Sequence, residues 1–154
     1  MALSQLAQAM ATLRLGLAEI KNKEEQLDAQ IYQFTTQLRR LPRQVVYGST
    51  SLDASLAAMG EIEERLADVT DRRRRLLEIK KTATQELEAL ELLKRVDETK
   101  SRLADLKKNG HAQDEEARLE IKQLEAFIAA NSRQAELAIT ERFRERTEAQ
   151  QEQN

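Results

Sequence analysis

The feature that most constrains the fold of this chain is an apolar stripe that runs through its first third. Its members alternate at spacings of three and four residues, which is the heptad pattern of a helix that buries one narrow seam against another helix. Glu24 is its one polar interruption. The members are Leu3, Leu6, Met10, Leu13, Leu17, Ile20, Leu27, Ile31, Phe34 and Leu38. The pattern therefore predicts one long helix that packs against a partner helix.

A second stripe with the same spacing follows and can supply that partner. Its apolar members are Met59, Ile62, Leu66, Val69, Leu76, Ala83, Leu87 and Leu90, and its polar members are Arg73 and Lys80. Antiparallel pairing about a turn gives layers in which the two residue numbers total 93, so that Phe34 faces Met59 and Leu27 faces Leu66. We therefore predict a heptad seam that folds back on itself within the chain.

Signals for the ends of helices divide the chain into three. Pro42 ends the first helix, because proline disfavours helix in the residue before it. Thr50 followed by Asp53, or Ser51 alone, can cap the second helix, and Asn109-Gly110 ends it. We predict a single helical coiled-coil domain over 1–147, with helices at about 3–41, 52–108 and 114–147, and a polar frayed tail at 148–154.

The third helix carries a weaker stripe that mirrors the second half of helix two, with paired numbers that total 220. The predicted fold is all-α: an elongated antiparallel coiled coil of three long helices, in which two hairpins share a long central helix. A compact three-helix bundle is the alternative. It would require the first and third helices to touch, with Leu77 and Leu93 filling the space between them.

Composition agrees with long helices and narrows the classes of function. Aromatic residues make up 3% of the chain and charged residues 34%, which is typical of a coiled coil rather than a thick globular core. A net charge of −2 argues against a dedicated nucleic-acid binder. The chain has no cysteine, no apolar run long enough to span a membrane and no recognisable signal peptide, so we expect a cytoplasmic location.

Two polar members of the first seam are candidates for a register-setting ion pair. Glu24 and Arg73 fall in adjacent layers of the predicted alignment, where a shifted pairing would leave each charge against hydrocarbon. Alternatively, both side chains extend past the seam to water.

Four consecutive arginines form the strongest run of charge. Arg72, Arg74 and Arg75 are a possible contact for an anion, although consecutive helical residues point in all directions around the helix. The alternative is a solvated segment paired with the nearby acidic residues Asp68, Asp71 and Glu78. The single histidine, His111, lies in a turn and makes a poor metal site. We find no catalytic motif and expect no cofactor or metal.

Apolar residues outside the stripes are candidates for contact with a partner. Val45, Val46 and Tyr47 lie at the predicted hairpin tip, where polar residues are usual. They either anchor an interface or fold back over the end of the seam. On the third helix, Phe127, Leu137 and Phe143 are further candidates for partner binding.

These observations predict a non-enzymatic scaffold, adaptor or assembly subunit that acts through helix–helix protein interactions. Its partner would be a protein, either a second copy or another helical chain. One alternative is a membrane-associated remodelling subunit, although no basic residue precedes Arg14 in the amphipathic first helix. The other is a nucleic-acid-associated protein that uses Arg72 to Arg75. We expect neither a membrane nor a nucleic acid as the partner.

Overall fold

The chain forms three long α-helices. A computed structural model describes residues 3–48, 50–108 and 115–152, with side chains described for 5–48, 50–108, 115–137 and 151–152. The helices are α1 (Leu3–Val46), α2 (Leu52–Lys108) and α3 (Glu115–Glu152). No strand occurs in the described ranges. The predicted all-α fold of three long helices is confirmed.

α1 is longer than predicted, and its expected end at residue 41 is wrong. The helix continues through Pro42 to Val46. Proline removes one backbone hydrogen bond, but its effect on the preceding residue is a preference that packing can override. Leu41 and Val45 are half-buried on either side of the proline, and Val45 extends the seam beyond it, so the last turn of α1 is stabilised by burial. α3 also continues to Glu152, into the segment expected to fray.

Two backbone hydrogen bonds hold the turn at the end of α1. The Tyr47 N–H donates to the Arg43 carbonyl at 3.1 Å, and the Gly48 N–H donates to the Val45 carbonyl at 3.0 Å. Gly48 has a φ of 75°, a left-handed conformation that glycine adopts without steric cost. Tyr47 and Gly48 are thereby fixed relative to the helix that precedes them.

Ser51 caps the start of α2. Its hydroxyl accepts a hydrogen bond from the Ala54 N–H at 3.1 Å, which satisfies one donor of the first turn. Of the two predicted caps, this is the one that involves Ser51 alone. The hydroxyls of Thr50 and Ser55 lie 3.0 Å apart, and Ser55 is buried with 3% of its surface exposed. The buried serine is therefore hydrogen-bonded.

The residues group into two compact units. One unit is Thr12–Thr84, which we call the hairpin unit because it consists of the connected parts of α1 and α2. The other comprises Met1–Ala11 and Gln85–Asn154, which we call the second unit. It contains the start of α1, the rest of α2, and α3.

Cross-helix ion pairs show that the hairpin unit is antiparallel. Arg73 contacts Glu24 and Asp28, and Lys80 contacts Glu24. The residue numbers of these pairs total 97, 101 and 104. Asp28 follows Glu24 on α1, but its partner Arg73 precedes Lys80, a partner of Glu24, on α2. The two helices therefore run in opposite directions. The predicted fold-back of the first helix onto the second is therefore present.

The predicted register of this seam, however, is wrong by about one heptad. If Glu24 faced Val69, Lys80 would lie eleven residues, or about 16 Å, further along the axis. The 2.9 Å contact between Lys80 Nζ and Glu24 Oε2 excludes that spacing. A total near 100 instead places Glu24 opposite Leu76, with Arg73 and Lys80 one layer to either side. The extension of α1 to Val46 moves the turn and accounts for the shift.

Two ion pairs join α2 and α3 in the second unit. Arg102 Nε donates to Glu120 Oε1 at 2.7 Å, and Lys107 Nζ lies 3.2 Å from Glu125 Oε1. Residue numbers rise together in these two pairs, from Arg102 to Lys107 on α2 and from Glu120 to Glu125 on α3, so the predicted total of 220 stays a prediction. Buried apolar side chains of this unit come from all three helices: Leu6, Met10, Leu90, Leu93, Val96, Ala117 and Ala135.

Cysteine pairs will test the corrected register, because the chain has no native cysteine. The new alignment places Leu41 opposite Met59, whereas the predicted one placed Phe34 there. We expect Leu41→Cys with Met59→Cys to oxidise readily to an intramolecular disulfide, since bridged Cα atoms lie within about 7 Å. Phe34→Cys with Met59→Cys is the matched pair and should oxidise far more slowly. Mobility on non-reducing gels measures the oxidation of each pair. Preferential oxidation of the Phe34 and Met59 pair would refute the corrected register.

Candidate functional site

The hairpin tip presents apolar side chains to solvent. Val46 is 80% exposed and Tyr47 is 84% exposed, whereas Val45 is half-buried. Leu52 and Leu56, in the first turns of α2, are also exposed. We call Val46, Tyr47, Leu52 and Leu56 the tip cluster. Of the three residues singled out from the sequence, only Val45 helps to cover the end of the seam. Val46 and Tyr47 are exposed and do not contribute to that cover.

Leu52 and Leu56 were not recognised from the sequence as part of this surface. Leu52 continues the heptad spacing of the second stripe, so it reads as a seam residue. In the structure, the seam does not extend as far as Leu52, and the Leu52 side chain is exposed. Leu56 lies one helical turn further and outside the stripe. Its position off the stripe was the one available signal.

A four-residue network surrounds the predicted register pair. Arg73 Nη2 lies 3.7 Å from Glu24 Oε1, but its closer partner is Asp28, at 2.6 Å from Nε to Oδ1. Glu24 Oε2 accepts from Lys80 Nζ at 2.9 Å. The Glu24 side chain is the least exposed of the four, at 18%. Glu24 and Arg73 are thus brought together, and a role in setting register stays a prediction.

The two further members of the network have different sequence signals. Lys80 was recognised as a polar member of the second stripe but was not assigned a partner. Asp28 was missed, although it lies four residues after Glu24 and therefore on the same side of α1. The single carboxylate of Glu24 contacts two cations, so its removal would take a partner from both Arg73 and Lys80, of which Arg73 would keep Asp28.

The arginine run does not form one basic surface. Arg73 turns towards α1, where it contacts Asp28. Arg72 pairs with Asp68 at 3.3 Å along α2. Arg74 lies 3.9 Å from Glu78, also within α2, and Arg75 is exposed. Two of the three predicted anion contacts therefore have intrahelical partners, which agrees with the alternative of a solvated segment.

The structure describes the side chains of two of the three candidate residues on α3. Phe127 is half-buried, and Leu137 is 54% exposed. Phe143 belongs to α3, but its side chain lies outside the described residues, as does His111 altogether. Leu119, also on α3, is exposed. Leu119 and Leu137 are therefore the exposed large apolar residues of the described part of this helix.

Neither a membrane span nor a metal centre is found in the described part of the chain. None of the described helices combines the length and apolar character needed to cross a bilayer. The described residues contain no group of three or more histidine, aspartate or glutamate side chains placed to hold a metal ion. Comparison of the chain with protein-family models, with curated proteins and with solved structures gives no match.

Removal of the central carboxylate will test the network. We expect Glu24→Ala to lower the free energy of unfolding by about 1–3 kcal/mol, because the charge-assisted hydrogen bond with Lys80 and the ion pair with Arg73 are lost. Glu25→Ala, an exposed neighbour, is the control and should change stability little. Urea denaturation followed by circular dichroism measures both. Equal effects of the two substitutions would show that the network contributes nothing.

Proposed function

We propose that this protein is a non-enzymatic coiled-coil scaffold, adaptor or assembly subunit. It acts through helix surfaces that bind a second copy or another helical protein. The observation that carries the proposal is the tip cluster, where Val46 and Tyr47 are at least 80% exposed although the chain has an apolar seam in which to bury such side chains. Contiguous exposed apolar surface of this kind usually marks a site of association.

The geometry of the turn supports a binding role. Tyr47 is held by its backbone hydrogen bond to Arg43, and Gly48 by its bond to Val45. A side chain presented by an ordered turn loses less conformational entropy when it binds than one on a disordered loop. Tyrosine also combines a large apolar ring with a polar tip, which makes it a frequent anchor of interfaces.

The two alternative functions have weaker support. A nucleic-acid contact through Arg72 to Arg75 would compete with the bonds of Arg72 to Asp68 and of Arg74 to Glu78. A membrane-bound first helix would lack basic residues before Arg14, which surface-binding helices usually carry. The absence of cysteine is compatible with a reducing compartment, and we propose the cytoplasm as the location.

Charged substitutions at the tip will test the proposal. We expect Val46→Lys combined with Tyr47→Lys to weaken association at least tenfold, because two large apolar contacts are replaced by solvated charges. Sedimentation velocity of the purified chain measures self-association, and chemical cross-linking in native extract detects a different partner. Gln44→Lys, at an exposed neighbouring position, is the control for added charge. A wild-type chain that is monomeric at every concentration and forms no specific cross-link would overturn the proposal.

A further inference from the structure

The ion-pair network identifies one side of the hairpin unit. Asp28 reaches across the seam to Arg73, and in an antiparallel heptad pair the two helices keep the same pair of sides over their whole length. The heptad positions next to Asp28 on α1, and those next to Arg73 on α2, therefore share this side. All of the following residues on it are exposed: Tyr32, Arg39 and Val46 of α1, and Asp53, Leu56, Gly60, Glu63 and Ala67 of α2. We call these eight residues the paired face.

The α1 part of the paired face is a row of large side chains. Tyr32, Arg39 and Val46 follow one another at intervals of seven residues, so they lie in line along the helix. Tyr32 is 74% exposed and Val46 is 80% exposed. The Thr35 hydroxyl, close to this row, donates to the Ile31 carbonyl at 2.7 Å and is thus satisfied within the helix. The row is therefore largely apolar and contains one cation.

The α2 part of the paired face includes a row of smaller side chains at the same interval. These residues are Asp53, Gly60 and Ala67. A Cβ atom added to Gly60 would meet nothing within 4 Å, so no contact within the described chain requires a glycine there. Glycine inside a helix costs about 1 kcal/mol relative to alanine. Close approach by a helix from outside the chain is a physical reason for its presence.

Charge is divided between the two helices near the tip. The last twelve residues of α1 contain three arginines, Arg39, Arg40 and Arg43, and no acidic residue. The segment 52–64 of α2 contains four acidic residues and no basic one. Within the described residues, Arg39 and Glu63 make no ion pair with each other or with a third group. The paired face thus offers an unpaired cation on α1 and an unpaired anion on α2.

We propose that the paired face binds a second copy of this chain about a two-fold axis parallel to the hairpin. α1 of each copy then lies antiparallel against α2 of the other. Tyr32 faces Ala67 of the second copy, Arg39 faces Gly60, and Val46 faces Asp53 beside Leu56. Arg39 passes over Gly60 and reaches Glu63, which is three residues or about 4.5 Å further along the axis.

Self-complementarity is the reason to choose a second copy over an unrelated helix. The large row and the small row have the same interval, and the cation and the anion lie at matching heights. About a two-fold axis, the α1 part of the face on each copy contacts the α2 part on the other copy, so the same set of contacts forms twice. An unrelated partner would use only one half of this pattern. The inference rests on the proposed function, since it names the partner of a chain that acts through helix surfaces.

Gly60→Leu is the sharpest test, because it separates the dimer from the fold. The open space around Gly60 admits a leucine in the monomer, and leucine favours helix more than glycine does. We expect helicity by circular dichroism to be kept or increased, while dimer dissociation measured by sedimentation equilibrium becomes at least tenfold easier. Gly16→Leu is the matched control, since a Cβ atom there also meets nothing within 4 Å but the position lies off the paired face.

A charge exchange tests the orientation of the two copies. Arg39→Glu and Glu63→Arg should each weaken the dimer several-fold, because each places like charges opposite one another twice. The double variant should restore the wild-type dissociation constant. Arg40→Glu, one residue along α1 and off the paired face, is the control for lost positive charge.

Each outcome supports the dimer or overturns it. A wild-type monomer, or a dimer insensitive to Gly60→Leu, overturns it, and so does a charge exchange without rescue. If Gly60→Leu has no effect while the substitutions of Val46 and Tyr47 abolish association, the scaffold function stands and this dimer falls. Binding of the wild-type chain to a different protein in place of itself has the same meaning. A monomer that also lacks any cross-linked partner removes both proposals.

Discussion

The hairpin unit contains a polar layer within its apolar seam, and we predict that the register of the seam depends on this layer. A heptad seam of leucines is nearly degenerate, because displacement by seven residues brings the same type of side chain into each layer. Glu24 is predicted to remove that degeneracy. Its carboxylate lies 2.9 Å from Lys80 and 3.7 Å from Arg73, so one register gives it cations on both sides. A register displaced by one heptad in either direction would leave only one of these two cations in a layer next to the carboxylate, which is less favourable for a half-buried charge.

The sequence was sufficient to predict the fold class but not the register. Helix type follows from spacing, and the bounds of α2 follow from Ser51 and from the Asn109-Gly110 pair in the sequence. The end of α1 does not follow in this way, because the effect of Pro42 competes with burial of Leu41 and Val45, and only the folded chain decides between them. An error of five residues at that end then displaced every layer of the seam.

The candidate site was predictable in part for a related reason. The unusual apolar character of Val46 and Tyr47 is visible in the sequence, and both are exposed. The exposure of Leu52 is not visible, since it has the spacing of a seam residue and the seam ends before it. The relation between Tyr32 and Gly60 is recognised only when it is known on which side of the hairpin unit each residue lies. The contact of Asp28 with Arg73 provides that knowledge, and it depends on the register.

The turn between α1 and α2 also affects whether two copies of the chain can exchange helices. Two copies of a hairpin can open and swap helices, because each seam is as complete between molecules as within one. Opening here would require Gly48 to leave its left-handed conformation and Ser51 to give up its bond to Ala54. It would also separate the buried hydroxyl of Ser55 from that of Thr50. These local bonds favour closure of each molecule on itself over an exchange of helices between two molecules.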